Sequence, residues 1–318
     1  MTADRQQDLP DDSTPAPTLA RVVEMLDTRY PPSTAEDWDA VGLVVGDPQR
    51  AVRRVLFAVD PVADVVEEAV AWGADLLVTH HPLLLKPVHS VAAGSVKGSV
   101  VHRLIEAGCA LYVAHTNGDA AERGVNDALA DLLGMVDRRP LDPHSPGATT
   151  GAGRVGRLPQ PTTLRAFAEH VAAVLPATPQ GVRVAGDLDA AVETVAVLGG
   201  SGDSYVAAAR AAGADVYVTS DLKHHSVSEA REQARLDALA AGDAPGTGRP
   251  FLVDTAHFAS EWPWLPYAAD DLVHDCASDG TTVVTRVSVL RTDPWTARFG
   301  SPGTDDQTSH DPTEGHQP

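Results

Sequence analysis

Two adjacent histidines, His80 and His81, stand directly after the apolar run Asp75-Leu76-Leu77-Val78-Thr79. Two more histidines each precede a carboxylate by one helical turn: His115 and Asp119 in Ala114-His115-Thr116-Asn117-Gly118-Asp119, and His257 and Glu261 in Ala256-His257-Phe258-Ala259-Ser260-Glu261. Neutral imidazole is the commonest metal ligand, and side chains one turn apart converge on one centre. If the chain brings these segments together, His80, His81, Asp119, His257 and Glu261 supply three imidazoles and two carboxylates. That is more than an ordinary catalytic zinc takes, and it suits two divalent ions about 3.5–4 Å apart. A set of nitrogen and oxygen ligands fits Zn, Mn, Fe, Co or Ni. Cys109 and Cys276 lie far apart and outside any CxxC pair, so thiolates build neither a zinc site nor a disulfide framework.

Each signal has a plainer reading. The two adjacent histidines also suit a solvated turn. Asp119 opens an Asp-x-x-Glu pattern with Glu122, the mark of a cap on a helix over 120–133, and Ser260 could cap a helix through Glu261 and leave His257 in a loop. His115 is a further ligand, a proton carrier or an orienting neighbour. Asp221 and Lys223, where the second half has Thr219-Ser220-Asp221-Leu222-Lys223 in place of the paired histidines, either contact a substrate or sit on a solvated turn. His224 and His225 fall beyond the equivalent position and are set aside. Gly199-Gly200-Ser201-Gly202-Asp203 reads as a phosphate-cradling loop without its lysine, or as a place of tight backbone packing.

The elements that must position these residues follow from periodicity. Residues 53–59 read as a buried strand, 61–72 as a helix and 75–79 as a strand, and the rhythm continues with helix 99–107, strand 109–114 and helix 120–133. Alternation of this kind predicts an α/β fold with parallel strands, and the histidines then stand at the carboxyl ends of strands, where open α/β sheets bind ligands. The stretch from Val55 returns 140 residues later from Val195, with Gly73-Ala74-Asp75 falling on Gly213-Ala214-Asp215 and Thr79 on Thr219. Two duplicated β-α-β halves related by a pseudo-twofold are expected: 19–135 and 186–299, with a linker and one helix over 136–185 and disordered tails over 1–18 and 300–318.

Composition narrows the function. With 24 basic against 44 acidic residues the net charge is -20, which argues against nucleic acid as a partner. No run of about 18 apolar residues and no leader pattern are present, so membrane association is not expected and a cytoplasmic location is.

Several long motifs in order resemble one family, the Nif-three-like dinuclear metal-centre hexameric proteins labelled GTP cyclohydrolase type 2-like. They are Asp37-Trp38-Asp39-Ala40-Val41-Gly42-Leu43, Val78-Thr79-His80-His81-Pro82-Leu83, Ala114 through Asp119, Gly153-Arg154-Val155-Gly156-Arg157-Leu158, Thr219 through Lys223, and Asp254-Thr255-Ala256-His257 through Glu261. The resemblance implies a two-metal site on His80, His81, Asp119, His257 and Glu261, with Glu261 as the bridge. It also implies a ring-shaped homohexamer and the short form of the fold, without an inserted third domain. Ala40 stands where such relatives usually have Asn, and Ala256 where they often have Gly; neither departure removes a ligand. The expectation is a metal-dependent hydrolase in which His115 moves protons and the substrate is a small molecule, a nucleotide or related phosphoester. A non-catalytic metal scaffold is the competing reading.

Overall fold

The computed structural model describes residues 15–300. The expected tails lie outside the described residues over 1–14 and 301–318, but 15–18 are tied to the body. Val52 N donates to Pro17 O at 2.9 Å, Thr282 N donates to Pro15 O at 3.2 Å, and the Thr18 hydroxyl caps the first helix by accepting from Arg21 N at 3.3 Å.

Eleven strands and ten α-helices follow in the described residues. The strands are β1 Gly42–Val45, β2 Arg54–Ala58, β3 Leu76–Thr79, β4 Ala110–Val113, β5 Val136–Pro143, β6 Gly151–Thr163, β7 Arg183–Ala185, β8 Ala191–Ser201, β9 Val216–Ser220, β10 Phe251–Thr255 and β11 Val284–Val287. The helices are α1 Leu19–Arg29, α2 Ala63–Trp72, α3 Val96–Ala107, α4 Thr116–Ala120, α5 Val125–Leu132, α6 Leu164–Val174, α7 Val206–Ala211, α8 His224–Ala241, α9 His257–Glu261 and α10 Trp264–Ser278. They form two sheets, in the orders β1-β4-β3-β2-β11 and β5-β6-β8-β9-β10-β7.

In the first sheet β2, β3 and β4 are parallel and β1 closes the β4 edge antiparallel; in the second β8, β9 and β10 are parallel and β7 closes the β10 edge antiparallel. This is the correspondence that the 140-residue repeat predicts. The repeated Gly-Ala-Asp has a physical cause. Gly73 and Gly213 turn the chain out of α2 and α7 at φ 73° and 74°, in the left-handed region that glycine enters without a Cβ penalty. The following aspartates then close the loops on the preceding strand. Asp75 Oδ2 accepts from Arg53 N and Arg54 N at 2.8 and 3.0 Å, and Asp215 Oδ2 accepts from Glu193 N and Thr194 N at 2.8 and 2.9 Å.

Two boundaries differ from expectation. Residues 136–185 are not a linker with one helix, because they supply β5, β6 and β7, half of the second sheet. β5 carries Pro140 and Pro143, which read as loop, but an edge strand tolerates proline on its unpaired side. In the glycine-rich β6, a Cβ on Gly151 would lie 2.3 Å from Asp142 O of β5, so the glycines allow close strand approach. The first half also does not end at 135. β11 pairs parallel with β2, and Tyr30 of the first half packs with Trp264 and Leu265 of α10 in one core.

The expected helix over 120–133 is broken into α4 and α5, with Arg123 in a left-handed turn at φ 57°. Arg154 of β6 locks that break. Its guanidinium donates to both Asp127 oxygens at 2.8 and 3.1 Å and to the carbonyls of Ala121, Gly151 and Gly153 at 2.7 to 2.9 Å, while buried at 2% exposure. Arg154→Met removes the cation and leaves three carbonyls and Asp127 without their donor. Breaking a buried pair from one side costs about 3–5 kcal/mol. Urea unfolding should show a loss of that order, and a loss below about 1 kcal/mol would mean water replaces the guanidinium.

Candidate metal centre

The paired histidines arise because β3 ends at Thr79 and the chain turns at the sheet's carboxyl edge, where Thr79 Oγ1 donates to His81 O at 3.0 Å. The two one-turn pairs sit on α4 and α9, short helices that follow β4 and β10. The capping readings fail here: Asp119 lies inside α4 while Gly124 caps α5, and Ser260 lies inside α9, which His257 begins. Ser260 instead ties the site together. Its hydroxyl accepts from Gly200 N at 2.9 Å and donates to His257 O at 2.8 Å.

The five residues expected as ligands come together from both halves. Glu261 Oε1 lies 2.9 Å from His257 Nε2 and 3.4 Å from His80 Nε2; Oε2 lies 3.1 Å from His81 Nε2. Asp119 Oδ1 lies 3.7 Å from His80 Nε2, and the Nε2 atoms of His81 and His257 face one another at 3.1 Å. Each of the three rings has its other nitrogen committed to an acceptor. His80 Nδ1 donates to Ala114 O at 2.8 Å, His81 Nδ1 to Asp60 Oδ1 at 2.6 Å and His257 Nδ1 to Asp221 Oδ2 at 2.7 Å. These bonds place the ring protons on Nδ1 and turn the Nε2 lone pairs inward, the arrangement by which outer acceptors orient metal-binding imidazoles.

The inward atoms lack ordinary partners. His80 Nε2, Asp119 Oδ1 and Glu261 Oε2 are buried with no hydrogen bond, although buried polar atoms nearly always have one. Cations at this point would satisfy all three. His81, His257 and Glu261, and separately His80, His81 and His115, each place donor atoms close enough to share one ion. The residues present therefore fit a metal.

The electrostatics agree. Burial by itself would depress His81, but the charge of Glu261 and the bond to Asp60 raise it to about 10. Burial, Glu261 and Asp221 act in the same way on His257, which rises to about 11. Glu261 is buried, which would raise its carboxyl, yet the three imidazoles hold it well below the usual range. Burial lifts the Asp119 carboxyl against the pull of His80.

The remaining expected residues fall in different places. His115, the counterpart of His257, donates from Nδ1 to Asp39 Oδ1 at 2.8 Å, and its ring centroid lies 5.2 Å from that of His80 and 5.6 Å from that of His81. Asp221 adjoins the centre, but as the acceptor that orients His257. Lys223 is not brought in: its exposed ammonium lies 3.7 Å from Asp203. Gly200 is part of the end of β8 rather than a phosphate loop. A Cβ there would meet Glu261 Oε1 at 2.4 Å and His257 Nε2 at 3.3 Å, so the tight-packing reading is the one realised.

Asp39, Asp60 and Asn126 join the site without a sequence motif that marks them as site residues. Burial would raise the Asp39 carboxyl, but hydrogen bonds from His115 and Thr116 hold it below the ordinary range. Asn126 donates to Asp119 O and accepts from Gly199 N, both at 2.9 Å, and so joins the site segments of the two halves. Asp60 and Gly200 are equivalent under the 140-residue repeat; that position, at a strand's carboxyl end, was the available signal.

Comparison with known proteins gives consistent results. The profile of the Duf34/NIF3 (NGG1p interacting factor 3) family matches residues 17–294. A Streptomyces coelicolor protein called GTP cyclohydrolase 1 type 2 homolog is 50% identical over 287 residues, 90% of this chain and 96% of its own length. A Mycobacterium tuberculosis protein of the same name is 34% identical over 384 residues, covering 87% of this chain and 96% of its own. The crystal structure of a Bacillus cereus protein related to NIF3 superposes with a TM-score of 0.76 at 26% identity, covering 89% of this chain and all of the other.

Proposed function

Because the chain belongs to the Duf34/NIF3 family, we propose that His80, His81, Asp119, His257 and Glu261 hold two divalent cations, drawn from Zn, Mn, Fe, Co and Ni, in a centre that hydrolyses a nucleotide or related phosphoester. One observation carries the reading: three imidazoles with their Nδ1 protons committed elsewhere aim Nε2 at one carboxylate, and three of the inward atoms are buried without partners. Such cations, when bound, supply Lewis acidity and make water a nucleophile at neutral pH. Glu261 offers one oxygen to His80 and His257 and the other to His81, as a bridging carboxylate would. Asp39 fixes the His115 proton on Nδ1, which leaves Nε2 to accept and return a proton beside the reacting atoms. The relatives' name, GTP cyclohydrolase 1 type 2 homolog, makes GTP the first substrate to try. We further propose self-association as a homohexamer and a cytoplasmic location. Among the described residues no helix is long and apolar enough to cross a membrane.

The test is titration calorimetry of the untagged, metal-stripped chain with Zn²⁺ and Mn²⁺, followed by turnover of GTP and simple phosphoesters. About two equivalents should bind. With His81 raised to about 10 and His257 to about 11, the facing pair holds more than its neutral complement of protons at pH 7 in the ion-free protein, and binding must release the excess. Apparent affinity should therefore climb with pH until both have titrated, and the heat should vary with the buffer's ionisation enthalpy; a buffer-independent heat would sink the assignment of these two rings. His115→Ala should keep both ions and lose about a hundredfold or more in turnover. Loss of an ion in that variant would make His115 a ligand.

A further inference from the structure

After β11 the chain does not leave the body but crosses the centre. Ser288 N donates to Phe57 O at 2.8 Å, and the Thr292 hydroxyl donates to Asp60 Oδ2, on the same carboxylate that orients His81. The segment then reaches the second half: Arg291 donates to Ala177 O at 3.5 Å and Arg298 to Gln180 O at 3.2 Å. Residues 288–299 thus run from the carboxyl end of β2 towards that of β10, where Gln180 Nε2 donates to Thr255 O at 3.1 Å, and form a wall beside the metal centre.

Between this wall and the second half lies an open cavity of about 480 Å³, lined by Trp295, Arg298, Arg183, Gln180 and Asp221. Asp221 stands between the cavity and the centre, since its carboxylate accepts the His257 Nδ1 proton on the side of the ring away from Glu261. Trp295 is 63% exposed and lines this concave site with a large aromatic side chain. Among the described residues no carboxylate lies within ion-pair distance of Arg298. Arg183 gives Nε and Nη2 to Asp254, so Nη1 remains for another acceptor. On a chain of net charge -20, the Arg298 guanidinium and the free Nη1 of Arg183 offset the Asp221 carboxylate in the cavity and leave a place for an anionic group beside an aromatic ring.

We propose that this cavity is a nucleotide subsite, in which the heteroaromatic ring stacks on Trp295 and the phosphate is held by Arg298 and Arg183. The inference deepens the reading of the centre as a nucleotide hydrolase and rests on it, and it adds where the nucleotide is gripped.

The experiment measures binding of GTP, guanosine and inorganic triphosphate to the metal-loaded full chain by calorimetry, with metal content and assembly mass taken on the same samples. Trp295→Ala should weaken GTP and guanosine about tenfold or more, and Trp295→Phe should recover most of the loss. Arg298→Ala should weaken GTP and triphosphate and leave guanosine unchanged. Equal affinity in wild type and Trp295→Ala overturns the subsite, as does a wild type that binds neither GTP nor guanosine. A changed assembly mass in Trp295→Ala also overturns it, because the segment is then an interface between copies. Ring stacking does not depend on the ions, so a wild type that holds no metal refutes the reading of the centre while guanosine binding still decides the subsite.

Discussion

Glu261→Gln should strip the centre of nearly all its metal while leaving the chain folded. The carboxylate is buried and lies within 3.4 Å of all three inward imidazole nitrogens, so no other residue supplies its charge to both sides. Glutamine keeps the volume and one acceptor oxygen but loses the negative charge that draws cations into a buried site. The expected result is a fall from about two equivalents per chain to a small fraction of one, measured by mass spectrometry on untagged protein. The same change removes the main charge holding His81 and His257 at about 10 and 11, so both rings should titrate far lower in the ion-free variant. Those raised values help the ion-free wild type at pH below about 6.5 and stop helping as pH passes through 10 to 11, so the ion-free variant should lose stability chiefly at neutral and lower pH. Asp119→Asn makes a graded comparison. Among the described residues Asp119 comes within ion-pair distance of His80 alone, at 3.7 Å, and its loss should cost part of the metal rather than all of it. Two equivalents retained in Glu261→Gln would show that the carboxylate is not a ligand.

Gly200→Ala has the second largest expected effect, because one methyl group enters the centre. Gly200 holds φ at 70°, where an alanine is disfavoured by roughly 1–2 kcal/mol. The new Cβ would also stand 2.4 Å from Glu261 Oε1, well inside contact distance. Either Glu261 turns away from His257 or β8 shifts, and in both cases the ligand set opens. Metal affinity should fall at least tenfold. Gly213→Ala separates the clash from the backbone cost: φ there is 74° and no atom lies within 4 Å of the added Cβ. That variant should lose similar stability and keep its metal. Equal metal content in the two alanine variants would mean that Glu261 accommodates the methyl group without leaving its place.

What the sequence determined by itself is what local spacing can carry. The paired histidines end a strand, each A-H-x-x-x-[DE] segment spans one turn, and the 140-residue repeat ties both to equivalent positions of two halves, so spacing alone points to all five proposed ligands. Helix and strand periodicity likewise locates β2, α2, β3, α3 and β4. Tertiary structure decided the rest, because those features depend on where distant chain segments return. Asp60 faces His81, Asp39 faces His115 and Asp221 faces His257 across separations of 21, 76 and 36 residues, and an aspartate in a sequence does not declare which imidazole it will orient. The vacancy at Gly200 exists only because α9 places Glu261 against β8. β5 and β6 are not legible in the sequence because edge position and close strand approach select proline and glycine, the residues that mark loops when read alone. The return of β11 to β2, and with it the wall of residues 288–299, goes with burial of α10 against the first sheet; the helical spacing of Trp264, Leu265, Ala268, Ala269 and Leu272 marks an apolar face but does not say which sheet it covers.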